Sequence, residues 1–524
     1  MGSGKTHFLA VDFGTGSVRG ALFTESGEMV YTSSNDYKTY FPEPGWAEQR
    51  PSQWWESFLV VVRKIMDDSG VEKDSIVSIA VDTTSCTVLA LNKDFIPLRD
   101  AIIWMDVRAF DQANRIAGCG MDALKYNGFG SVSAEWMPCK ALWLKENEPE
   151  LYKNARYICE FEDWINYQLT GEYTGSINNV TVRWYYDSRS GGWPVDFYEK
   201  IGLEDLVKKF PENILGLGRP IGKLKPELAA ITGLSKDTLI VQGGADAYVG
   251  VLGLGAVKPG RLAYITGSSH LMIGHTEEGI SQKGIFGAFP DSIIPGLYVV
   301  EGAQISTGSV LKWFKDQFIS RSYEDEAKKE GLSIYDYLSS LAKDIKPGSE
   351  GLILLNYWQG NRNPWTDSQA RGIIWGLSLK HTPVHVYRAI MEGVAYGTEH
   401  IMRHFKDAGF VPKEVCACGG ATQSDLWMQI ESDVLGIPIC LTQEPNAPLL
   451  GDAVLASYGS GVYSSIEEAS LQMVKIKKRI EPDPEKRDVY KYYADKYIAT
   501  YPQLKGLMHD MLDHETGTAC RLSG

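Results

Sequence analysis

Two short stretches of this chain combine glycine, hydroxyl and carboxylate side chains as a polyphosphate site requires: Asp12-Phe13-Gly14-Thr15-Gly16-Ser17 and Thr266-Gly267-Ser268-Ser269. Glycine lets backbone approach a ligand closely, and successive N–H groups can point at phosphate oxygens. The hydroxyls of Thr15 and Ser17 add donors. Asp12, at the end of a strand, can hold a hydrated Mg²⁺, which takes one or two carboxylates together with phosphate oxygens and water. The first stretch also suits an ordinary hairpin turn with a capping aspartate. The second favours the phosphate reading, because two such hairpins facing each other across a cleft would clamp a polyphosphate from both sides.

A carboxylate able to do acid–base work lies in Gly243-Gly244-Ala245-Asp246-Ala247, after an apolar strand and at the start of a predicted helix. Its small neighbours leave room for a ligand. Asp246 there could accept a hydroxyl proton as an alcohol attacks a γ-phosphoryl group; a helix-capping aspartate is the plainer use of the same residue. Downstream, Cys418-Gly419-Gly420-Ala421-Thr422-Gln423-Ser424 forms a strand-to-helix turn that admits a ribose or a flat ring against its backbone, or serves only as a packing turn.

Other motifs carry less. Gly2-Ser3-Gly4-Lys5-Thr6 resembles the end of a P-loop, but the required upstream glycine is missing and the stretch precedes the first strand instead of following one. The i, i+4 pairs His381/His385 and His400/His404 lack the glutamate of a zinc-hydrolase helix, and Pro383 interrupts the first. Trp184-Tyr185-Tyr186 reads as core packing before it reads as a sugar wall.

These residues need elements to hold them. Residues 7–35 read as a three-stranded meander: His7–Asp12, Val18–Thr24 and Met29–Ser33. Ile76–Asp82 and Val88–Leu91 read as further strands, and Trp54–Asp68 has the apolar spacing of a helix. Near residue 239 the pattern begins again, with a strand at Leu239–Gly243, a glycine-rich helix at Asp246–Leu254 and strands at Arg261–Ile265 and Leu271–His275 around the second hairpin. A duplicated α/β fold follows, with a boundary near residue 255. The expected division is 1–254, 255–475 and a helical extension over 476–524.

At 524 residues two lobes are the natural size, and two lobes imply a cleft. A net charge of -14 makes nucleic acid and anionic membrane surfaces poor partners. No apolar run approaches the roughly 18 residues of a membrane span, and no leader pattern opens the chain. The eight cysteines have no paired C-x-x-C spacing and read as reduced thiols, so a cytoplasmic protein is expected.

Taken in order, the motifs resemble the FGGY family of carbohydrate kinases from about residue 7 to about 505. Gly372-Ile373-Ile374-Trp375-Gly376-Leu377 with His385-Val386-Tyr387-Arg388-Ala389-Ile390-Met391-Glu392 is similar to the family's C-terminal signature. Lys140-Ala141-Leu142-Trp143-Leu144 resembles the N-terminal one, with Met137 and Ala141 departing from it. The resemblance implies two actin-like, ribonuclease-H-like domains around an interdomain cleft, ATP and Mg²⁺, a small sugar substrate and a homodimer. It implies Asp246 as catalytic base and Asp12 as the metal-associated aspartate. Gly14, Thr15, Gly16, Ser17 and Arg19 would be the first phosphate hairpin and Thr266 and Gly267 the second. Gly308 and Lys312 would be further nucleotide contacts, and Gly420, Ala421 and Ser424 the adenosine wall.

On the sugar side the resemblance implies Ser85, Cys86, Trp104, Asp106 and Arg183. Thr84-Ser85-Cys86-Thr87 is similar to a ribulokinase segment, whereas Asp483-Pro484-Glu485-Lys486 and the tail look like kinases of an open-chain autoinducer. A terminal hydroxyl of a ketopentose, ribulose first, is the expected acceptor, with xylulose, a pentitol and an autoinducer-like polyhydroxy ketone as alternatives. A non-transferring actin-like ATPase and a catalytically dead sugar sensor are the readings outside the kinases. The sugar-side segments oppose the first, and the lack of a basic DNA-reading helix pair opposes the second.

Overall fold

The first strand, β1 (His7–Phe13), is buried along its whole length, as a strand covered on both faces must be. Its alternation decides what covers each face. Phe8 and Ala10 enter one core, and Leu9, Val11 and Phe13 enter another. β1 pairs antiparallel with β2 (Ser17–Thr24), which pairs antiparallel with β3 (Met29–Asp36). On its other edge it runs parallel to β4 (Ile76–Thr83). With β5 (Pro220–Lys223) and β6 (Leu239–Val241), the six-stranded sheet has the order β5-β6-β4-β1-β2-β3. Helix α1 (Pro51–Asp68) covers one face through Trp54, Phe58, Val61, Val62 and Ile65; it starts at Pro51, three residues before the predicted start, because proline fits the first helical turn.

The same construction recurs in the computed structural model, which describes residues 6–130 and 132–516. β7 (Arg261–Thr266) pairs antiparallel with β8 (His270–Thr276), itself antiparallel to β10 (Tyr298–Gln304), with β9 (Phe286–Pro290) outside it. β7 runs parallel to β11 (Glu414–Gly419), and β11 runs parallel to β12 (Ile439–Thr442). With β13 (Ile476–Ile480) the order is β9-β10-β8-β7-β11-β12-β13. Meander plus parallel strands therefore occurs twice, as the repeated pattern in the sequence predicts. Residues 2–5 of the P-loop-like leader, Cys520 and residues 517–524 of the tail lie outside the described residues.

Between the sheets lies a shared core, made by Ala10, Ala80 and Val241 of the first, Ala263, Ile273 and Cys416 of the second, and two helices, α3 (Asp246–Gly253) and α6 (Ala447–Gly459). Helix α2 (Met137–Asn147) belongs to the same core on the first lobe. α3 and α6 touch backbone to backbone. A Cβ on Gly253 would lie 2.0 Å from the Ala447 carbonyl oxygen, and one on Gly451 2.1 Å from that of Val249. Glycine is required there by close approach, since φ at neither position is positive. Ser78 of β4 also donates its hydroxyl to the Ala456 carbonyl at 2.7 Å, fastening α6 to the first sheet. Gly451→Ala is expected to lower stability by about 1–3 kcal/mol, the scale of an overpacked core, read as a lower urea midpoint.

On the second lobe, α4 (Gly308–Phe318), α5 (Pro383–Asp407) and α7 (Pro484–Thr516) complete the helical layer. His385 closes a capping box with Thr382 at the start of α5. Trp184 and Tyr185 are core residues. Among the described residues no cysteine is bridged, and no helix is long and apolar enough to cross a membrane.

Candidate active site

The tip of β4 meets the turn before α3: the Thr83 N–H donates to the Gly244 carbonyl at 3.1 Å, and the Thr84 N–H to that of Phe13 at 3.1 Å. These bonds bring Asp12, Asp82 and Asp246 to one place. Asp12 pairs in register with Asp82 across the parallel strands, and Asp246 opens α3 beside them. Ala245, not Asp246, holds the capping position; its N–H donates to Asn178 Oδ1 at 3.0 Å, and Asp246 Oδ1 accepts from the N–H of Ala247 at 2.7 Å. Asp246 is therefore not the capping residue that its sequence position suits.

Burial first, and then the Asp12 charge, push Asp246 up to about 7, against the pull of the Ala247 N–H and Arg19. Burial pushes Asp12 up too, although its partner Arg19 opposes it. Burial first, and then neighbouring carboxylates, raise Asp82 and Asp452 of α6 well above the ordinary carboxylate value, which disfavours their charged forms. A carboxylate titrating near neutrality is suited to accept a proton. If Asp246 must be ionised to act, kcat/KM falls as pH drops below about 7 and levels off above it. A profile flat from pH 5.5 to 8 would remove Asp246 from that role.

The first hairpin is closed by the Gly14 N–H donating to the Ser17 carbonyl at 3.0 Å. The Thr15 carbonyl accepts from Gln49 Nε2 at 2.6 Å, and the Tyr37 hydroxyl donates to the Gly14 carbonyl. Arg19 pairs with Asp12 and remains partly exposed. In the second lobe the Gly267 N–H donates to the Ser269 carbonyl at 2.9 Å, and the Gly308 N–H to the Gly267 carbonyl at 3.2 Å, which joins α4 to the hairpin. A Cβ on Gly308 would lie 2.4 Å from that carbonyl oxygen. Thr266 Oγ1 donates to the Cys418 carbonyl at 2.7 Å and accepts from the Ala421 N–H at 3.2 Å, joining the 419–424 turn.

Gly267, Gly308, Lys312, Gly420, Ala421 and Ser424 all line one cavity of about 750 Å³. That volume and a mixed polar and aromatic wall suit a nucleoside. Thr266 is buried behind the cavity as a strut, and Lys312 stands at its mouth paired with Asp316.

The sugar-side expectations divide. Trp104 stays accessible, and its indole N–H donates to Thr15 Oγ1 at 3.0 Å, linking it to the first hairpin. Ser85 is half-buried and Cys86 buried with φ at 60°, so the 84–87 turn is held in a left-handed conformation unusual for a residue with a Cβ. Asp106 corrects the expectation of a sugar contact. It is fully buried, its oxygens accept from Arg108 and from the Ala47 N–H, and no face of it is left for a ligand.

Arg183 is nearly enclosed, donating to Glu301 Oε2 at 3.0 Å. Glu301, on β10 of the other lobe, also accepts from the Tyr248 hydroxyl and from Arg362 at 3.2 Å. Glu301, Arg362, Asp82 and Asp452 are absent from the sequence-based set. The available signal was a carboxylate inside an otherwise apolar run, as in Tyr298–Gln304.

Comparison with known proteins agrees with this two-lobed fold. Residues 7–253 match the N-terminal domain, and residues 262–460 the C-terminal domain, of the FGGY family of carbohydrate kinases. A ribulokinase of Bacillus licheniformis is 32% identical, over 88% of this chain and 87% of its own. A human FGGY carbohydrate kinase domain-containing protein is 31% identical, over 94% of this chain and 95% of its own. A solved xylulose kinase from Rhodospirillum rubrum superposes with a TM-score of 0.84 at 27% identity, covering 96% of this chain and 100% of that one. With both domains matched in order, the chain belongs to the FGGY family of carbohydrate kinases and is an ATP-dependent sugar kinase.

Proposed function

We propose that the chain transfers the γ-phosphoryl group of ATP to a terminal hydroxyl of a ketopentose, ribulose first, with Asp246 as general base. The observation that carries this reading is a carboxylate, pushed up to about 7 by burial and by Asp12, at the head of a glycine-rich helix beside the first glycine-hydroxyl hairpin. The acceptor hydroxyl gives its proton to Asp246 as its oxygen bonds to the γ-phosphorus. The bond from that phosphorus to the β–γ bridging oxygen breaks, and ADP leaves. Backbone N–H groups of Thr15 and Gly16 in the first hairpin and of Ser268 in the second, with Arg19, stabilise charge on the phosphoryl oxygens. The nucleoside lies against Gly308, Gly420, Ala421 and Ser424, with Lys312 at the cavity mouth.

Among the described residues no three His, Cys, Asp or Glu side chains form a metal site by themselves. A hydrated Mg²⁺ needs fewer, and the mutual repulsion of Asp12 and Asp246 fits a nearby cation, with Asp12 as its protein ligand. Bound with ATP, the ion would neutralise charge on the phosphates.

In this reading residues 1–254 carry the sugar side, 255–475 the ATP side, and 476–524 a helical extension; the enzyme works in the cytoplasm, as a homodimer. Ribulose ranks first because ribulokinases of Bacillus licheniformis and Geobacillus thermodenitrificans match over most of their length at 32% and 30% identity. Xylulose ranks second on the Rhodospirillum rubrum neighbour.

A coupled ADP-release assay across ketopentoses, pentitols and glycerol is the direct test. The highest kcat/KM should fall on a ribulose isomer. Highest activity on a pentitol or glycerol would overturn the substrate assignment, and ADP release raised by none of them would overturn phosphoryl transfer to this class.

A further inference from the structure

Lys140 is fully buried, yet among the described residues no carboxylate lies within ion-pair distance of it. Its ammonium donates to two backbone carbonyls, Cys86 at 2.5 Å and Ile103 at 2.8 Å. An enclosed ammonium is costly to desolvate, and burial pulls its pKa down, opposed by Cys86, Asp106, Glu135 and Glu160. An apolar side chain of the same length would fill the space without that cost. The charge therefore has a use at the two carbonyls.

Both carbonyls sit in turns that reach the sugar side. Cys86 occupies the left-handed position of the 84–87 turn, a conformation that persists only where the surroundings enforce it. The Ile103 carbonyl also accepts the N–H of Asp106 at 3.1 Å, closing the turn that presents Trp104. Trp104 in turn reaches Thr15 of the first hairpin at 3.0 Å. One ammonium thus fixes two separate turns relative to each other and, through Trp104, to the phosphate hairpin.

We infer that Lys140 is a positioning residue for the sugar: by clamping the carbonyls of Cys86 and Ile103, it holds Ser85, Cys86 and Trp104 in the geometry that orients the acceptor hydroxyl. This rests on the sugar side proposed above. The nucleotide cavity lies in the other lobe and shares no residue with these turns, so the larger effect falls on the sugar, and ATP is reached only through the Trp104–Thr15 hydrogen bond.

The test uses the full chain with Lys140→Met, which keeps the stem, and Lys140→Arg, which keeps the charge on a bulkier head. With the best sugar of the panel, Lys140→Met should raise the sugar KM by up to about 10²-fold, the scale of a 1 Å misplacement. The ATP KM should stay within about twofold of wild type by the same logic. Lys140→Arg should fall between. Independently of turnover, labelling of the buried Cys86 thiol by a maleimide, mapped by mass spectrometry, should be faster in Lys140→Met.

An unchanged sugar KM with unchanged Cys86 labelling in either folded variant would overturn the assignment. So would an equal rise in both KM values. If Lys140→Met does not fold, Lys140→Arg decides by the same two readouts. If the wild type shows no sugar-stimulated turnover, the kinase reading has failed, and the labelling rate still reports whether Lys140 holds the turn.

Discussion

Asp246→Asn is expected to lower kcat by about 10²–10⁴-fold, the usual contribution of a positioned base, while the affinity for ATP is retained. Asparagine has almost the same shape and can still accept the Ala247 N–H at the start of α3. What it loses is the capacity to take a proton. The cavity proposed for the nucleotide is lined by residues of the other lobe, from Gly267 to Trp427, none of which depends on that carboxylate. Steady-state turnover together with calorimetric ATP binding separates the two effects. Turnover near that of the wild type would reject Asp246 as the base, and loss of ATP binding with turnover would make its role structural. The acid limb near pH 7 should disappear from whatever activity remains, because the amide does not titrate.

The second large effect concerns the two lobes. Glu301→Gln is expected to destabilise the protein by about 3–5 kcal/mol, the cost of breaking a buried ion pair from one side. Glu301 has no exposed surface, and its two oxygens serve Arg183, Tyr248 and Arg362. Arg183 comes from the first lobe and stacks over the rings of Trp136 and Tyr248, at 5.4 and 5.8 Å, so it cannot turn to solvent. Without the carboxylate an enclosed guanidinium has no counter-charge.

Burial alone would raise the pKa of Glu301; Arg183 and Arg362 hold it below the ordinary value. Its contribution is therefore present above the unfolded carboxylate pKa and is lost as pH falls through the lower folded value. Urea unfolding at pH 7 and near pH 4 should show the gap between wild type and Glu301→Gln narrowing in acid. A variant as stable as wild type at pH 7 would mean that Arg183 finds another partner. Arg362→Ala should cost only about 0–1 kcal/mol, because Arg362 is partly exposed.

Much of the frame was legible because it rests on local rules. β1 is an apolar run broken only by Asp12 after Phe8–Val11, so both faces are covered, and the hairpins declare themselves through glycine and hydroxyls between two such runs. The repeat near residue 239 reads out by the same signal. Asp106 was misread because its partner Arg108 lies only two residues on, and sequence gives no sign that the pair folds onto itself instead of facing the cleft. Lys140 was legible as part of a signature, but its two carbonyl partners are named by the fold alone.

The sequence by itself determined the duplicated strand pattern, the two glycine-hydroxyl hairpins and a carboxylate at the head of a glycine-rich helix, since each depends on neighbours within a few residues. Only the tertiary structure decided that Asp82 and Asp452 join Asp12, that Glu301 reaches across to Arg183, and that Gly253 and Gly451 let α3 and α6 touch. Those relations join residues far apart in the chain. Burial, which with the Asp12 charge shifts Asp246 toward neutrality, exists only once β1, β4 and α3 have assembled.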